Sequence, residues 1–597
     1  MLSSRTTALR EVMDLVWTEA TRFVKVRLAT AALLIVVASS LTALGPYALK
    51  LIIDGIAGKP PIATSDLAMA VGFYVFSQWL ARSVGEIRGF VYARAERRMA
   101  RTLTERLFGH VLRLPMQFHL NRRTGAVTQT IANGLQGYQM VVYTMMFSLL
   151  PVTVEVGTSV AVIGRLHQPV ILLLFCAVVI CYVIAFAYGA RSTATAQRAA
   201  SSAQVEGNGY MTDSILNCEV IKAHAAEELI EEKARGVFSR TEREGVKCHQ
   251  QTARNGICVA TICAFFLAVT IGYAVHKVTL GAITLGTLVL IINYLALLVK
   301  PVETLGYAVQ AFSQGLAQLS KVLELTREKT EDFTTQNIVP IRGIGSLEFE
   351  GVEARYHSDR VILKDLNFMV PAGTTLGIVG KSGSGKSTIA RLLKRTLEPT
   401  KGRVRLDGTS LSELPLSPLR TAIAVIPQDT ILFNDTVRYN IAFGKPGCSQ
   451  HDIEEAARIA HLEEFIATLP QGYDTVVGER GMKISGGERQ RIAIARAAIA
   501  RPLVYFFDEA TSALDSIAES KVVTNMREIA RTTTTIVVAH RLSTLAHADH
   551  IIVLDNGEIV ERGTHSELVK RGGRYEALRR VQQQGHGGAY VGQFIQA

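Results

Sequence analysis

An α-helical domain of six transmembrane spans, fused to an α/β domain, is the fold this sequence predicts, and three observations predict it. Long uncharged runs are confined to the region before about residue 310, and each suits a helix crossing a hydrocarbon core of about 30 Å. Basic residues crowd alternate loops between those runs. After about Asp332 no such run recurs, and short apolar strands then alternate with glycine-rich loops and helical patterns.

The spans follow in order. Leu28–Leu49 is 22 residues without a charge. Leu67–Ala81 is a weaker second span that continues past Arg82, Glu86 and Arg88. The third, Gln139–Gly164, is broken only by Glu155. Leu166–Ala190, Asn255–His276 and Val278–Val299 supply the last three. The loop after the second span carries Arg94, Arg97, Arg98, Arg101, Arg106, Arg113, Arg122 and Arg123. The loop after the fourth is basic as well, from Arg191 to Arg254, whereas the opposite loops are short and carry little basic charge, with Lys59, Arg165 and Lys277 among it. By the positive-inside rule the long loops and both termini face the cytoplasm. The same rule absorbs the net charge of +12, so no nucleic-acid partner is read from it. The partner is the lipid bilayer.

Apolar residues recur at helical spacing over Arg94–Leu114 and Val205–Arg243. Both stretches are expected to be helices projecting below the membrane, with connectors near Met116–Gly125 and Asn217–Glu228 that dock on the second domain. The expected division is a membrane domain over 1–325, a polar linker over 326–344, a second domain over 345–580 and a frayed tail over 581–597. Seven cysteines include no CxxC pair, so a structural metal site is not expected. Glu11 and Asp14 interrupt the basic N-terminus, and no cleavable leader is read there.

The second domain carries the chemistry. The strand "TTLGIVG" runs into "GKSGSGKST" and then a helix, which is the phosphate-binding loop in its required context. Gly380, Lys381, Ser382, Gly383, Ser384 and Gly385 wrap phosphates with backbone N–H groups at a helix N-terminus. Lys386 reaches the β- and γ-phosphates, and Ser387, followed by Thr388, is placed to ligate Mg²⁺. The apolar strand "LVYFF" ends in Asp508, which suits the Mg²⁺ shell, and Glu509, which suits polarising an attacking water. His540 ends a further apolar strand, "TIVVAH", and is a candidate sensor of the γ-phosphate.

With these motifs in this order, residues 345–580 resemble the nucleotide-binding domain of ABC transporters. The resemblance implies the P-loop ATPase fold, ATP and Mg²⁺ as cofactors, and further roles. Tyr356 matches the aromatic that stacks on adenine, and Gln428 in "VIPQDTILF" matches the Q-loop glutamine that joins the metal shell and the catalytic group. Ser485, Gly486, Gly487 and Glu488 match the signature sequence, with Glu in place of the more usual Gln. Asp515 falls in the D-loop, His540 matches the switch histidine, and Gly478–Gly481 matches a loop that contacts the membrane domain in exporters. In the family, the P-loop of one domain and the signature of another close on the same ATP. One chain with one of each therefore implies a second copy, as a homodimer, with a heterodimer of related half-transporters as the alternative.

Six spans before one ATPase domain resemble an exporter half-transporter, and "LRLPMQFHLNRRTGAVTQ" and "ILNCEVIKAHAAEE" resemble the mitochondrial iron–sulfur-assembly and heavy-metal-tolerance group. That group implies glutathione-derived or metal–thiol small-molecule substrates. The departure lies in the fifth span, where Gly256 and Val259 stand where amide residues are expected. Along the sixth, Glu303, Thr304, Tyr307 and Gln310 are the candidate lining residues, and an expected arginine is not evident. An amphiphile, lipid or peptide is the alternative cargo. An ATP-gated channel is a further alternative, disfavoured by the intact Glu509 and signature. Glu155 and Glu303, acids within spans, are candidate functional groups. The expected location is the bacterial inner membrane, with the mitochondrial inner membrane as alternative.

Overall fold

The computed structural model describes residues 18, 20–57, 63–121, 124–166, 168–331, 341, 343–356, 360–478, 484–509, 516–539 and 542–585. They divide into two compact units, one of Met1–Leu112 with Arg122–Lys329, the other of Arg113–Asn121 with Thr330–Ala597.

The first unit is a set of long helices: α1 (Arg22–Ala57), α2 (Thr64–Leu112), then, after a short helix α3 (Met116–Asn121) of the second unit, α4 (Thr124–Thr144), α5 (Leu150–Gly164), α6 (Pro169–Leu216), α7 (Cys218–Ala223), α8 (Glu227–Thr279) and α9 (Leu285–Arg327). One π-helical turn, Met145–Leu149, joins α4 to α5. Among the described residues Arg22–Ala57, Val127–Gly164 and Glu227–Thr279 are long and apolar enough to span a membrane, and Pro169–Cys181 and Leu285–Leu297 are shorter apolar stretches. The expected sixth span starts too early. Gly281 takes a left-handed φ of 70°, and the Thr284 hydroxyl accepts from Thr287 N–H, so the helix begins at Leu285.

Two cores hold this unit. Val24, Leu28, Tyr92, Met99, Tyr138 and Leu319 form one, from α1, α2, α4 and α9. Ile163, Phe175, Ala274 and Tyr294 centre the other, from α5, α6, α8 and α9. The backbones of α4 and α9 meet at Gly137 and Gly315, where a Cβ on either would lie 2.7 Å from the other's carbonyl oxygen. Small residues allow that approach, as at many membrane helix interfaces. Below them, α6 and α8 run antiparallel, tied by Cys248 Sγ to Gln197 Oε1 at 3.0 Å and by Arg240 to Glu206 at 3.0 Å.

The second unit contains two sheets. The antiparallel one has order β2-β1-β4-β5, from β1 (Leu347–Arg355), β2 (Val361–Val370), β4 (Lys401–Leu406) and β5 (Thr409–Ser410). The other has order β10-β9-β3-β8-β7-β6. Its strands β3 (Thr375–Gly380), β6 (Ile423–Ile426), β7 (Val504–Asp508), β8 (Thr534–Val538) and β9 (His550–Asp555) pair in parallel, and β10 (Glu558–Gly563) adds an antiparallel edge. These central strands read as continuous apolar runs because both faces are covered. The helices are α10 (Lys386–Leu393), α11 (Leu416–Ala422), α12 (Val437–Ala442), α13 (Gln450–Ile459), α14 (Glu463–Thr468), α15 (Gly486–Ala498), α16 (Ser516–Ala530), α17 (Leu542–Leu545), α18 (His565–Arg571) and α19 (Arg574–Gly585).

Two boundaries differ from the sequence reading. Arg113–Asn121 packs with the second unit, because its polar groups find their partners there. Helix α19 runs to Gly585, beyond the expected end at 580, and its Gln582 side chain accepts from Leu542 N–H at 3.0 Å.

Candidate functional site

The phosphate loop sits at the carboxyl end of β3, where open parallel sheets place their ligand sites. Gly383 and Gly385 have φ of 79° and 104°, left-handed values that turn successive backbone N–H groups toward one point. A Cβ on Gly385 would also meet Leu363 Cδ2 at 2.5 Å. Lys386 is only 5% exposed, and its ammonium donates to the carbonyls of Gly380 and Lys381 at 2.9 and 3.1 Å. It also lies 3.6 Å from Glu509 Oε1. The Ser384 hydroxyl is buried with no hydrogen-bond partner, an orphan that a phosphate oxygen would satisfy. The cradle therefore fits a polyphosphate.

Asp508 closes β7 and receives a hydrogen bond from the Ser387 hydroxyl. Burial pushes its carboxyl above the usual range, and the Ser387 bond and Lys386 oppose that shift. A hydroxyl and a carboxylate in contact are a hard-oxygen donor pair, which suits Mg²⁺. Glu509 takes a left-handed φ of 51°, held by its N–H donating to the Val538 carbonyl at 2.9 Å. Such a backbone in a non-glycine residue is a local cost often found at functional sites.

Tyr356 follows β1. Its hydroxyl bonds Thr388 Oγ1 at 3.1 Å, and the Arg391 guanidinium lies 4.9 Å from its ring centre. The aromatic is thereby fixed to the first turn of α10. Gln428 lies exposed just after β6. The segment around it is fastened to α15: Gln490 Nε2 donates to the Pro427 carbonyl at 3.2 Å, and Thr430 donates to Gln490 Oε1 at 2.8 Å. Arg496, also on α15, donates to the Asn440 and Ile431 carbonyls.

Ser485 caps α15 at an exposed position. Its hydroxyl accepts from Glu488 N–H, and Glu488 accepts from Ser485 N–H at 2.7 Å, a capping box. This explains a glutamate in place of glutamine: either side chain closes the box. Asp515, His540 and residues 479–483 lie outside the described residues, as do the side chains of Glu303, Thr304, Tyr307 and Gln310, whose backbone belongs to α9. Glu155, on α5, accepts a hydrogen bond from Ser39 of α1. Among the described residues no group of three or more His, Cys, Asp or Glu could hold a metal ion.

Sequence reasoning missed Gln490, Arg496 and Gln582. Each is a polar residue on a helix whose partner lies in another segment, and helical spacing carries no sign of it.

The ABC transporter family model matches residues 363–512, and the ABC transporter transmembrane region model matches residues 28–302. An ATM1-type heavy metal exporter of Novosphingobium aromaticivorans is 36% identical over 580 residues, covering 96% of this chain and 94% of that one. This chain belongs to the Atm1-type ABC exporter family. The mitochondrial iron–sulfur clusters transporter ATM1 of Yarrowia lipolytica is 33% identical over 587 residues, covering 96% of this chain and 82% of that one. The structure of a bacterial Atm1-family ABC exporter with ATP bound superposes with a TM-score of 0.84 at 34% identity, over 95% of this chain and 99% of that one. The exporter is thus a multi-pass membrane protein that binds ATP and couples its hydrolysis to export.

Proposed function

We propose that the exporter works as a symmetric homodimer that moves a glutathione-derived or metal–thiol compound out of the cytoplasm across a bacterial inner membrane. One observation carries the dimer. The Lys386 ammonium is buried and bonded within its own loop, whereas Ser485 stands exposed on a helix N-terminus. An exposed serine hydroxyl at a helix N-terminus suits a γ-phosphate presented by a second copy.

Each residue then has a task. Gly383, Gly385 and Lys386 bind and orient the β- and γ-phosphates of ATP, and Tyr356 presents the face away from Arg391 to the adenine. Ser387 and Asp508, with Gln428, would hold Mg²⁺, which when bound neutralises phosphate charge. Glu509 takes the proton of the attacking water at its carboxylate, and the neighbouring Lys386 ammonium keeps that carboxylate in place. His540 would sense the γ-phosphate, and Asp515 would serve in the D-loop to which the resemblance assigns it. ATP favours the closed pair of ATPase domains, and hydrolysis removes that preference, so the membrane helices alternate between inward and outward states.

The cargo reading rests on the relatives, a heavy metal exporter and an iron–sulfur clusters transporter. Glu303, Thr304, Tyr307 and Gln310 would line its path. The test is ATP hydrolysis by the protein in lipid nanodiscs with and without millimolar oxidised glutathione, with Glu509→Gln as blank. Stimulation that the blank lacks supports a thiol conjugate. Unchanged hydrolysis overturns that cargo in favour of an amphiphile and leaves the ATPase intact.

A further inference from the structure

The linker after α9 holds an acid with no part in the chemistry above. Glu331 donates its backbone N–H to the carbonyl of Arg113 at 2.8 Å. Its carboxylate accepts two bonds from the Arg420 guanidinium, at 2.7 and 2.8 Å. This is the paired, planar geometry in which arginine–carboxylate contacts are strongest. The two side chains are 13% and 26% exposed, so solvent screens the pair less than a surface ion pair.

Arg420 does not end the chain of contacts. Its Nε donates to the Lys394 carbonyl at 3.2 Å, and the Lys394 ammonium donates to the Arg420 carbonyl at 2.6 Å. Lys394 caps the C-terminal end of α10, the helix whose first turn is Lys386–Thr388. At the opposite end of α10, Thr388 bonds the Tyr356 hydroxyl at 3.1 Å. The Tyr356 carbonyl in turn accepts from Gln117 Nε2, on α3, at 3.1 Å.

The segment Arg113–Asn121 is therefore fastened to both ends of one helix. One attachment runs through Gln117 and Tyr356 to the first turn, the other through Glu331 and Arg420 to the last. A single hydrogen bond leaves a pivot. Two attachments separated by the length of an eight-residue helix, about 12 Å, remove it.

We propose that Glu331 is a positioning residue for coupled transport: with Arg420 it clamps the first cytoplasmic connector to the phosphate-binding helix, so that helix and connector move as one body when ATP is engaged. The inference rests on the ATP-driven alternation described above. It gives the linker a mechanical task and assigns Gln117 to the other end of the same clamp. Energetic coupling through a rigid element requires that the element not slip at its ends.

The test uses the full-length protein in nanodiscs, with a spin label at position 165, the exposed turn after α5, introduced through a bioorthogonal amino acid. Inter-label distances are compared with and without ATP trapped by vanadate. In the unmutated protein the distance lengthens on trapping. In Glu331→Gln, KM for ATP stays within about twofold and vanadate still traps nucleotide, but the fraction of trapped molecules that opens falls at least twofold. Glu331→Asp keeps the charge and restores most of the opening. Gln117→Ala together with Glu331→Gln loses more opening than the two single losses combined, because both attachments are gone. Opening of Glu331→Gln equal to that of the unmutated protein overturns the clamp. So does loss of trapping itself, which would make the pair part of the ATP site or of its folding. Absence of trapping or opening in the unmutated protein overturns the alternation mechanism and the clamp together.

Discussion

The phosphate loop of this exporter and the Ser485–Gly487 segment proposed to meet it are built in opposite ways. In the Gly380–Thr388 loop the cation is already engaged, since Lys386 bonds two carbonyls of its own loop and faces Glu509. The Ser485–Gly487 segment has no cation: Ser485 is exposed, Gly487 is buried, and the capping box with Glu488 organises its first turn. The first is a pocket, which determines whether nucleotide is held. The second is a surface, which under the proposed dimer acts only on a nucleotide held by the other copy. That contrast accounts for one chain carrying two glycine-rich stretches of unlike build, and it predicts different phenotypes for damage to each.

The largest effect is expected at the group both cradles serve. Glu509→Gln should lower steady-state phosphate release about 10³-fold, the scale of a lost general base, while equilibrium ATP binding persists. Separating the cradles comes next. Ser485→Arg should cut turnover about 10²-fold, as loss of transition-state donors does, yet leave the affinity of the unpaired chain for a fluorescent ATP analogue unchanged. Lys386→Ala should instead weaken that binding itself, by about 10-fold or more, the worth of a charged hydrogen bond. Equal loss of binding in both variants would erase the distinction between pocket and surface.

A smaller effect separates the capping box from the chemistry. Glu488→Gln should leave turnover within about twofold, because glutamine also closes the box, whereas Glu488→Ala should cost about 1 kcal/mol of stability at the start of α15. Thermal inactivation of ATPase activity reads both.

The smallest concerns Lys394, at the far end of the P-loop helix, whose pKa is lowered from 10.5 to about 8 by burial and by the nearby Arg420. Between pH 8 and 10.5 the unfolded chain binds a proton that the folded chain lacks, so this group makes stability rise with pH across that window. Replacing it, Lys394→Met, should remove that contribution, seen as a smaller difference in inactivation temperature between pH 8 and pH 9.5.

Much of this was legible in the sequence. The runs Leu28–Leu49 and Asn255–His276 fall inside α1 and α8 because a hydrocarbon solvent demands continuous apolar helix, a local and redundant signal. The phosphate loop was legible because its glycines, lysine and hydroxyl are contiguous, and contiguous residues need only their own strand and helix to be placed. Less legible was the start of α9, set by one left-handed glycine and one threonine cap rather than by hydropathy.

The membrane runs and the ATPase motifs, then, are fixed by the chain's local chemistry. Each depends on chemistry written within a few neighbouring residues. Only the tertiary structure decided that Lys386 meets Glu509, that Gln490 ties the Q-loop segment to the signature helix, and that Glu331 reaches Arg420. Those contacts join residues from about 60 to more than 120 positions apart. Polar side chains advertise no partner along a chain; the strand order and helix packing that bring them together do.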